Sequence, residues 1–393
     1  MCVSQFPRHA KRVADGAVKR AYATLEEPCR AAFTELLQAV RTRTTVEICP
    51  RLVAALRNIA RFADHYVRAL DEWPGVEGTV YPVVHALSQH LLARHPVPRF
   101  LASAWHDDGA IGDDKRRWFI AHAAGTRFRD LELPAPMTRQ MESIFLRSPD
   151  HLSVEAAMRR AEILALGGNA PLVAAVLATR LGRDVANGRF WRTVMEFFVR
   201  FAERIGPHAV GPIVDFLQFV RHERVEALTP SGSRFIEPPE PAFSIKGRSP
   251  VSLQRLVEAW HRRLGSRPAD TISWRRSGLQ PMTFEEPSFD PEKPPLRWEI
   301  VELTCGSELS REGRQLQHCV ATYAPRCLWG QSRIWSLRRV TASSNVRAVT
   351  TVEVDPRARA IVQARGLRNR VPSARERALL ALWARRENLT LRV

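Results

Sequence analysis

The spacing of apolar residues changes once along this chain of 393 residues, and that change constrains the fold more than any other feature. Up to about residue 227 apolar side chains recur every three or four positions, as in Val46 to Leu70, which is typical of amphipathic helices. Alternation typical of strands appears only after Trp298. The sequence therefore predicts an all-helical scaffold over residues 1–227 and a small α+β domain over residues 296–393.

A segment dense in proline separates these two parts. Eleven of the 27 prolines fall between Leu228 and Pro295, with one helical pattern from Ser249 to Leu264. Proline interrupts both helices and central strands. We therefore expect residues 228–295 to be a linker with one helix, and the whole chain to be an α+β protein.

Residues 296–393 predict a small sheet flanked by helices. The first helix is expected over about 310–326, and a capping box of Ser373 and Glu376 opens another helix to about Glu387. Strand patterns lie at 333–338, 347–354 and 359–364, and these three are expected to form an antiparallel meander. A further short strand is expected at 389–393.

The charge of the chain points to a polyanion as partner. The formal net charge is +18, and residues 301–393 hold 17 arginines against 7 acidic residues. A field of this sign attracts nucleic acid or an anionic membrane surface. Only 5 of the 59 basic residues are lysine, a bias that a GC-rich coding sequence also produces. Arginine binds phosphate with two parallel hydrogen bonds, so the bias is compatible with binding without demonstrating it.

Several other classes of protein are disfavoured. No run approaches the ~20 apolar residues that span a bilayer, and the first residues lack the apolar core of a secretory signal, so a cytoplasmic location is expected. The six cysteines include no Cys-x-x-Cys pair, so reduced thiols, no metal and no cofactor are expected. The set that comes nearest to a metal site matches no zinc spacing: Cys305, His318, Cys319 and Cys327.

The residues best suited to chemistry begin in the stretch from Glu312 to Tyr323. On a continuous helix His318 would point about 150° away from the apolar face that Leu316 and Val320 define. His318 is therefore a candidate catalytic residue, with a surface or helix-packing histidine as the alternative. Tyr323 lies on the apolar face, so its ring is expected to pack in the core.

Glu353 is the second candidate catalytic residue. It alternates with Val352 and Val354 and so faces the other side of its strand. There it either lines a cleft as an acid or base or is a solvated carboxylate on an open sheet face, and the sequence leaves both open.

A polar loop follows the last strand of the meander. Amide and guanidinium side chains come together there ahead of a helix N-terminus, which suits a phosphate. A glycine turn with Asn369 hydrogen-bonded to the loop explains Gly366 and Asn369 equally well, but not the basic residues beside them. The candidate phosphate-binding and nucleic-acid-binding residues are Arg338, Gln363, Arg365, Arg368, Asn369 and Arg370.

At these residues the chain resembles the PcfJ-like proteins, in the order and spacing of motifs over its last quarter. The residues that carry the resemblance are Glu312-Gly313, Leu316, His318-Cys319-Val320, Tyr323, Gly330, Ile334, Leu337-Arg338, Thr351, Glu353, Gln363-Ala364-Arg365-Gly366, Asn369-Arg370 and Pro372. The family is associated with conjugative plasmids and integrated mobile elements of bacteria. The resemblance implies DNA or RNA and other mobile-element proteins as partners, and it implies no reaction and no catalytic residue.

Three functions follow as hypotheses. The first is a nucleic-acid-associated protein whose helical part recruits partners and whose C-terminal domain contacts phosphate through its arginines. The second is an enzyme, a nuclease or a transferase acting on a nucleotide or nucleic acid, in which His318 and Glu353 meet in one cleft. The third is an adaptor that uses the helical array as a protein-binding surface.

Overall fold

A computed structural model of the protein describes residues 6–107, 110–229, 232–264, 272–286, 296–340 and 346–391. The chain divides into two compact units, one formed by Met1–Gly167 with Leu181–Arg192, the other by Gly168–Arg180 with Thr193–Val393. The sequence placed a division near residue 227, whereas the helices that follow Thr193 belong to the second unit.

The first unit contains helices and no strand in its described residues. Its helices are α1 (Phe6–Ala23), α2 (Cys29–Arg43), α3 (Pro50–Ala60), α4 (Val80–Leu92), α5 (Ala110–Ala123), α6 (Arg139–Leu146) and α7 (Val154–Ala165). Aromatic side chains fill its centre, where the Phe145 ring meets those of Phe100 and Phe128 edge to face at 5.0 and 4.8 Å. The helical character predicted from the apolar spacing is confirmed here. In the described ranges of the whole chain, no helix has both the length and the apolar character that a bilayer crossing requires.

The second unit combines helices with strands. Its helices are α8 (Ala170–Leu177), α9 (Gly188–Arg200, which begins in the first unit), α10 (Ala202–Ile205), α11 (Pro207–Arg221), α12 (Pro250–Leu264), α13 (Gly306–Leu316), α14 (Ala324–Leu328) and α15 (Ala374–Arg386). Its strands are β1 (Val225–Thr229), β2 (Gly232–Ile236), β3 (Met282–Glu286), β4 (Leu296–Leu303), β5 (Arg333–Val340), β6 (Val346–Asp355), β7 (Ala360–Gly366) and β8 (Thr390–Leu391). The prediction of a mixed α+β protein with many helices is therefore confirmed.

Six of the described strands form one sheet in the order β3-β4-β5-β6-β7-β8. Neighbouring strands are antiparallel, except that β7 and β8 are parallel. Strands β5, β6 and β7 lie where the three strands of the meander were predicted. The sheet is larger than predicted, because β3 and β4 extend it beyond β5. The remaining two strands, β1 and β2, pair with each other.

The proline-dense segment is more than a linker. It contains the expected helix, as α12, but β2 and β3 also lie within it. Prolines precede and follow β3, which occupies an edge of the sheet, where a missing amide donor is tolerated. The linker prediction also covers residues 230–231, 265–271 and 287–295, which lie outside the described residues.

The two faces of the large sheet differ in chemistry. On one face, apolar side chains of β5 and β6 pack against α15, where the rings of Trp335 and Trp383 lie 4.7 Å apart. The expected capping box of Ser373 and Glu376 begins α15. The opposite face lies beneath α13 and the segment that follows it, and carries the polar residues Ser336, Thr351, Glu353, Gln363 and Arg365. This polar face holds the candidate site.

Candidate functional site

Helix α13 ends earlier than the apolar spacing predicted, and its end decides where His318 lies. Gln317 adopts a left-handed conformation (φ 51°, ψ 50°), and the amides of Gln317 and His318 both donate to the carbonyl of Gly313. This turn ends the helix at Leu316. The expectation of a continuous helix over 310–326 with His318 on its exposed side is therefore wrong, since only 6% of the His318 surface is exposed.

A chain of hydrogen bonds links His318 to a buried carboxylate. His318 Nε2 lies 3.0 Å from Thr351 Oγ1, and that hydroxyl donates to Glu312 Oε1 at 2.9 Å. Ser336 Oγ donates to the other carboxylate oxygen, also at 2.9 Å. Since the single hydroxyl proton of Thr351 goes to Glu312, the bond to His318 is one in which Nε2 donates. All four side chains are buried.

Burial also shifts the pKa values of His318 and Glu312, the two titratable groups in this series of hydrogen bonds. Loss of hydration lowers the pKa of His318 to about 4; a hydrogen bond to its own backbone opposes the shift, and the charge of His261 adds to it. Burial raises the pKa of Glu312, against hydrogen bonds from Ser336 and Thr351. At pH 7 the imidazole of His318 is therefore neutral and acts as a hydrogen-bonding group rather than a charge.

Replacing Thr351 by valine is expected to destabilise the protein by about 2 kcal/mol, because buried atoms of Glu312 and His318 lose their partner. Serine keeps the hydroxyl and loses one methyl group, so Thr351→Ser should cost only about 1 kcal/mol. Urea unfolding followed by tryptophan fluorescence measures both variants. Equal losses, or a gain with valine, would show that the hydrogen-bond chain does not stabilise the fold.

His318 also lines a wide cavity of about 740 Å³. Two exposed arginines line the same cavity, and each is held at Nε: Arg368 Nε donates to Gln317 Oε1 at 2.6 Å and Arg314 Nε to the Ser310 carbonyl at 3.3 Å. Within the described residues, the terminal amino groups of these two arginines make no hydrogen bond or ion pair. The cavity therefore presents two guanidinium groups whose Nε atoms are held by hydrogen bonds and whose terminal nitrogens can bind a ligand.

A second cavity, of about 70 Å³, collects motif residues from farther along the chain. The Tyr323 hydroxyl donates to Gln363 Oε1 at 3.3 Å, while its ring packs against a buried apolar cluster, as expected. Side chains that line this small cavity include Asp215, Cys319, Tyr323, Gln363, Arg365 and Asn369, together with Arg180, Glu223 and Arg326. Gln363, Arg365 and Asn369, which the sequence placed in one group, thus line the same small cavity. His318 and Arg368 line the wide cavity instead.

Asp215 of α11 is one of the residues of the small cavity that sequence reasoning missed, with Arg180, Glu223 and Arg326. Its Oδ2 accepts a hydrogen bond from Asn369 Nδ2 at 2.7 Å, and the thiol of Cys319 also hydrogen-bonds to it. Burial raises its pKa to about 6, in spite of these bonds and of the charges of Arg365 and Arg180. The signal that could have found it is that Asp215 is the only carboxylate in α11.

The polar loop turns sharply where it meets α11. Arg368 and Asn369 both have positive φ, 52° and 62°, so successive side chains of the loop point in different directions. A Cβ atom on Gly211 of α11 would lie only 3.0 Å from Asn369 Cβ, so the helix can approach this closely because a glycine is there.

The predicted phosphate-binding arginines do not converge on one site. Arg365 is buried and donates to two backbone carbonyl groups. Arg370 forms two hydrogen bonds of 2.8 Å with Glu376 at the start of α15, and Arg338 Nε donates to a serine hydroxyl of its own strand at 3.1 Å. Of these arginines, Arg368 is the one that presents its terminal amino groups to the wide cavity.

Glu353 lies on the face that the alternation of its strand predicted. Ser332 Oγ donates to Glu353 Oε1 at 3.0 Å, and an Arg326 terminal nitrogen lies 4.0 Å from the same oxygen. His318 is hydrogen-bonded to Thr351, and Glu353 lines neither of the two cavities. Catalysis by His318 with Glu353 stays a prediction, and the two residues share no cavity described above.

Residues 298–380 match the family model for the PcfJ-like protein, so the resemblance seen in the sequence is confirmed over this segment. The match includes α13, strands β5 to β7 and the polar loop, but neither α11 nor α12. No curated protein and no solved structure matches the chain. The motif residues of both cavities therefore lie inside the matched segment, while helices that complete the cavities lie outside it.

Proposed function

Since residues 298–380 form a PcfJ-like segment, we propose that the protein binds nucleic acid and that its wide cavity contacts the phosphates. The observation that carries the proposal is the pair Arg314 and Arg368, held at Nε with exposed terminal amino groups. A guanidinium held in this way binds two phosphate oxygens with little further loss of side-chain entropy. Such contacts release counterions, so binding should depend on salt.

The distribution of charge supports the same proposal. Residues 301–393 hold 17 arginines against 7 acidic residues. Some are engaged internally, as Arg365 and Arg370 are, but Arg311, Arg339 and Arg347 are exposed. An excess of positive charge concentrates a polyanion near the surface, and contacts at the cavity then fix its position.

Replacing Arg314 and Arg368 by glutamine tests the proposal. Each substitution is expected to reduce the steepness of log affinity against log salt concentration by about 1, because one phosphate contact is lost. Fluorescence anisotropy of a labelled oligonucleotide over a series of salt concentrations measures this slope. Arg357→Gln removes the same charge from the exposed turn after β6 and should leave the slope unchanged.

The outcomes separate two parts of the proposal. Absence of binding even at low salt would overturn nucleic-acid binding altogether. Slopes that are the same for the wild type and the Arg314→Gln/Arg368→Gln double variant would overturn the assignment of the contact to the cavity. An equal change in Arg357→Gln would indicate a diffuse positive field instead of defined contacts.

A second candidate function, chemistry on a nucleotide or nucleic acid, is favoured by Asp215. A carboxyl group with a pKa of about 6, beside a guanidinium and within a cavity, is typical of a general acid or base. Conversion of an oligonucleotide by the wild type but not by Asp215→Asn, followed on a gel, would support this function. An oligonucleotide left unchanged by the wild type after long incubation would exclude cleavage of nucleic acid at this residue.

A further inference from the structure

The wide cavity is larger than a phosphate contact requires. Its volume of about 740 Å³ lies within the range of roughly 300 to 1,000 Å³ that is typical of sites for small molecules. Arginines on a flat surface can contact the phosphates of a double helix without any cavity. The space that Arg314 and Arg368 line therefore has room for a ligand group other than the phosphate.

The surfaces of the cavity suit a flat heterocycle. Pro212 and Ile213 of α11 and Val257 of α12 supply apolar surface. His261, which is partly exposed, and His318, of which 6% is exposed, also line the cavity, and histidine rings can stack on nucleobases. Burial lowers the pKa of both histidines, so the rings are neutral at pH 7 and can pack against a base without adding charge.

Groups that can recognise the edge of a base lie beside these surfaces. Gln254 and Glu258 are one turn apart on α12, and both line the cavity. Among the described residues the Gln254 side chain has no hydrogen-bond partner, so it can both donate and accept. Arg314 and Arg368 line the same cavity, which brings phosphate-binding groups and a space for a base into one site.

We infer that this cavity takes the base of an unpaired nucleotide while Arg314 and Arg368 hold the adjoining phosphate, an inference that rests on the proposed function. A base within a duplex is stacked and paired, so it cannot enter a cavity without leaving the helix. The bases of a single strand are available for stacking on protein side chains. The protein therefore prefers single strands to duplexes, and a free nucleoside monophosphate offers the same chemistry in a smaller ligand.

Binding of a single-stranded oligonucleotide, its duplex and a nucleoside monophosphate to the full-length protein at one salt concentration tests the inference. The single strand is expected to bind about tenfold more tightly than the duplex. Ala209→Leu on α11 and Ala321→Leu in the turn after α13 each fill part of the cavity, and each should weaken single-strand binding about tenfold without changing duplex binding. Ala381→Leu makes the same change at an exposed position of α15 and should alter neither affinity.

Each outcome decides between the inference and the function on which it rests. Equal affinity for single strand and duplex, or a preference that both filling variants retain, overturns the inference while phosphate binding stands. Binding of the nucleoside monophosphate alone, weakened by the filling variants, supports the nucleotide site but overturns nucleic-acid binding. Absence of all binding overturns both. If far-UV circular dichroism shows that one filling variant misfolds, the other, placed on a separate segment, supplies the test.

Discussion

Replacing Trp383 by alanine is expected to destabilise the second compact unit by about 3 to 5 kcal/mol. The Trp383 side chain has no exposed surface, its ring lies 4.7 Å from that of Trp335, and its Nε1 donates to the Gln280 carbonyl at 2.9 Å. Alanine leaves a cavity between α15 and the sheet and removes this hydrogen bond. Hydrogen–deuterium exchange of peptides from β5 and β6 measures the loss, which should raise exchange rates on the order of 10²-fold to 10⁴-fold.

Leu382 provides the matched control, because it is adjacent in sequence and 48% exposed. Leu382→Ala should change stability by less than about 0.5 kcal/mol and leave exchange in β5 and β6 as it is in the wild type. If the two variants exchange at the same rate, α15 does not stabilise the sheet, and the packing of its tryptophan on Trp335 carries no weight in the fold.

Local patterns predicted the middle of the sheet and missed one side of it. Strands β5, β6 and β7 pair with their neighbours in sequence, so alternation and a turn at Asp355-Pro356 were sufficient to place them. Strand β4 pairs with β5 across α13 and α14, a contact that no local pattern records. Strand β3 is surrounded by prolines, and only its place at the edge of the sheet makes them compatible with a strand.

The candidate site could be predicted only in part, for the same reason. Gln363, Arg365 and Asn369 line one cavity as expected, since they are close together in sequence. Asp215, which hydrogen-bonds to Asn369 from 154 residues away, had no local pattern to connect it with them. His318 was placed on the wrong side because one left-handed residue ended α13, and that residue is a glutamine rather than the glycine or asparagine that usually marks such an end.

Replacing Asp215 by asparagine is expected to stabilise the second unit at pH 7.5, by up to about 3 kcal/mol. The pKa of Asp215 is about 6 in the folded protein against an ordinary value of 3.8, because burial disfavours the ionised form. Above pH 6 the carboxyl group is ionised in both states and its burial opposes folding in full, whereas below pH 3.8 it is protonated in both and this penalty is gone. Asparagine keeps an oxygen for the bond from Asn369 and never ionises, so the gain should shrink as the pH falls from 6 towards 4.

Scanning calorimetry between pH 4 and pH 8 measures this gain, in the transition that Trp383→Ala lowers and that therefore belongs to the second unit. Asp64→Asn, at a side chain that is 77% exposed, should show no gain at any pH. A loss of stability in Asp215→Asn at pH 7.5 would mean that the charges of Arg365 and Arg180 make the carboxylate a stabilising group. A gain would mean that the chain carries, in a cavity lined by its motif residues, a carboxylate that weakens its own fold. A residue present at the expense of stability is typical of a functional site, so the gain would support Asp215 as the acid or base of the second candidate function.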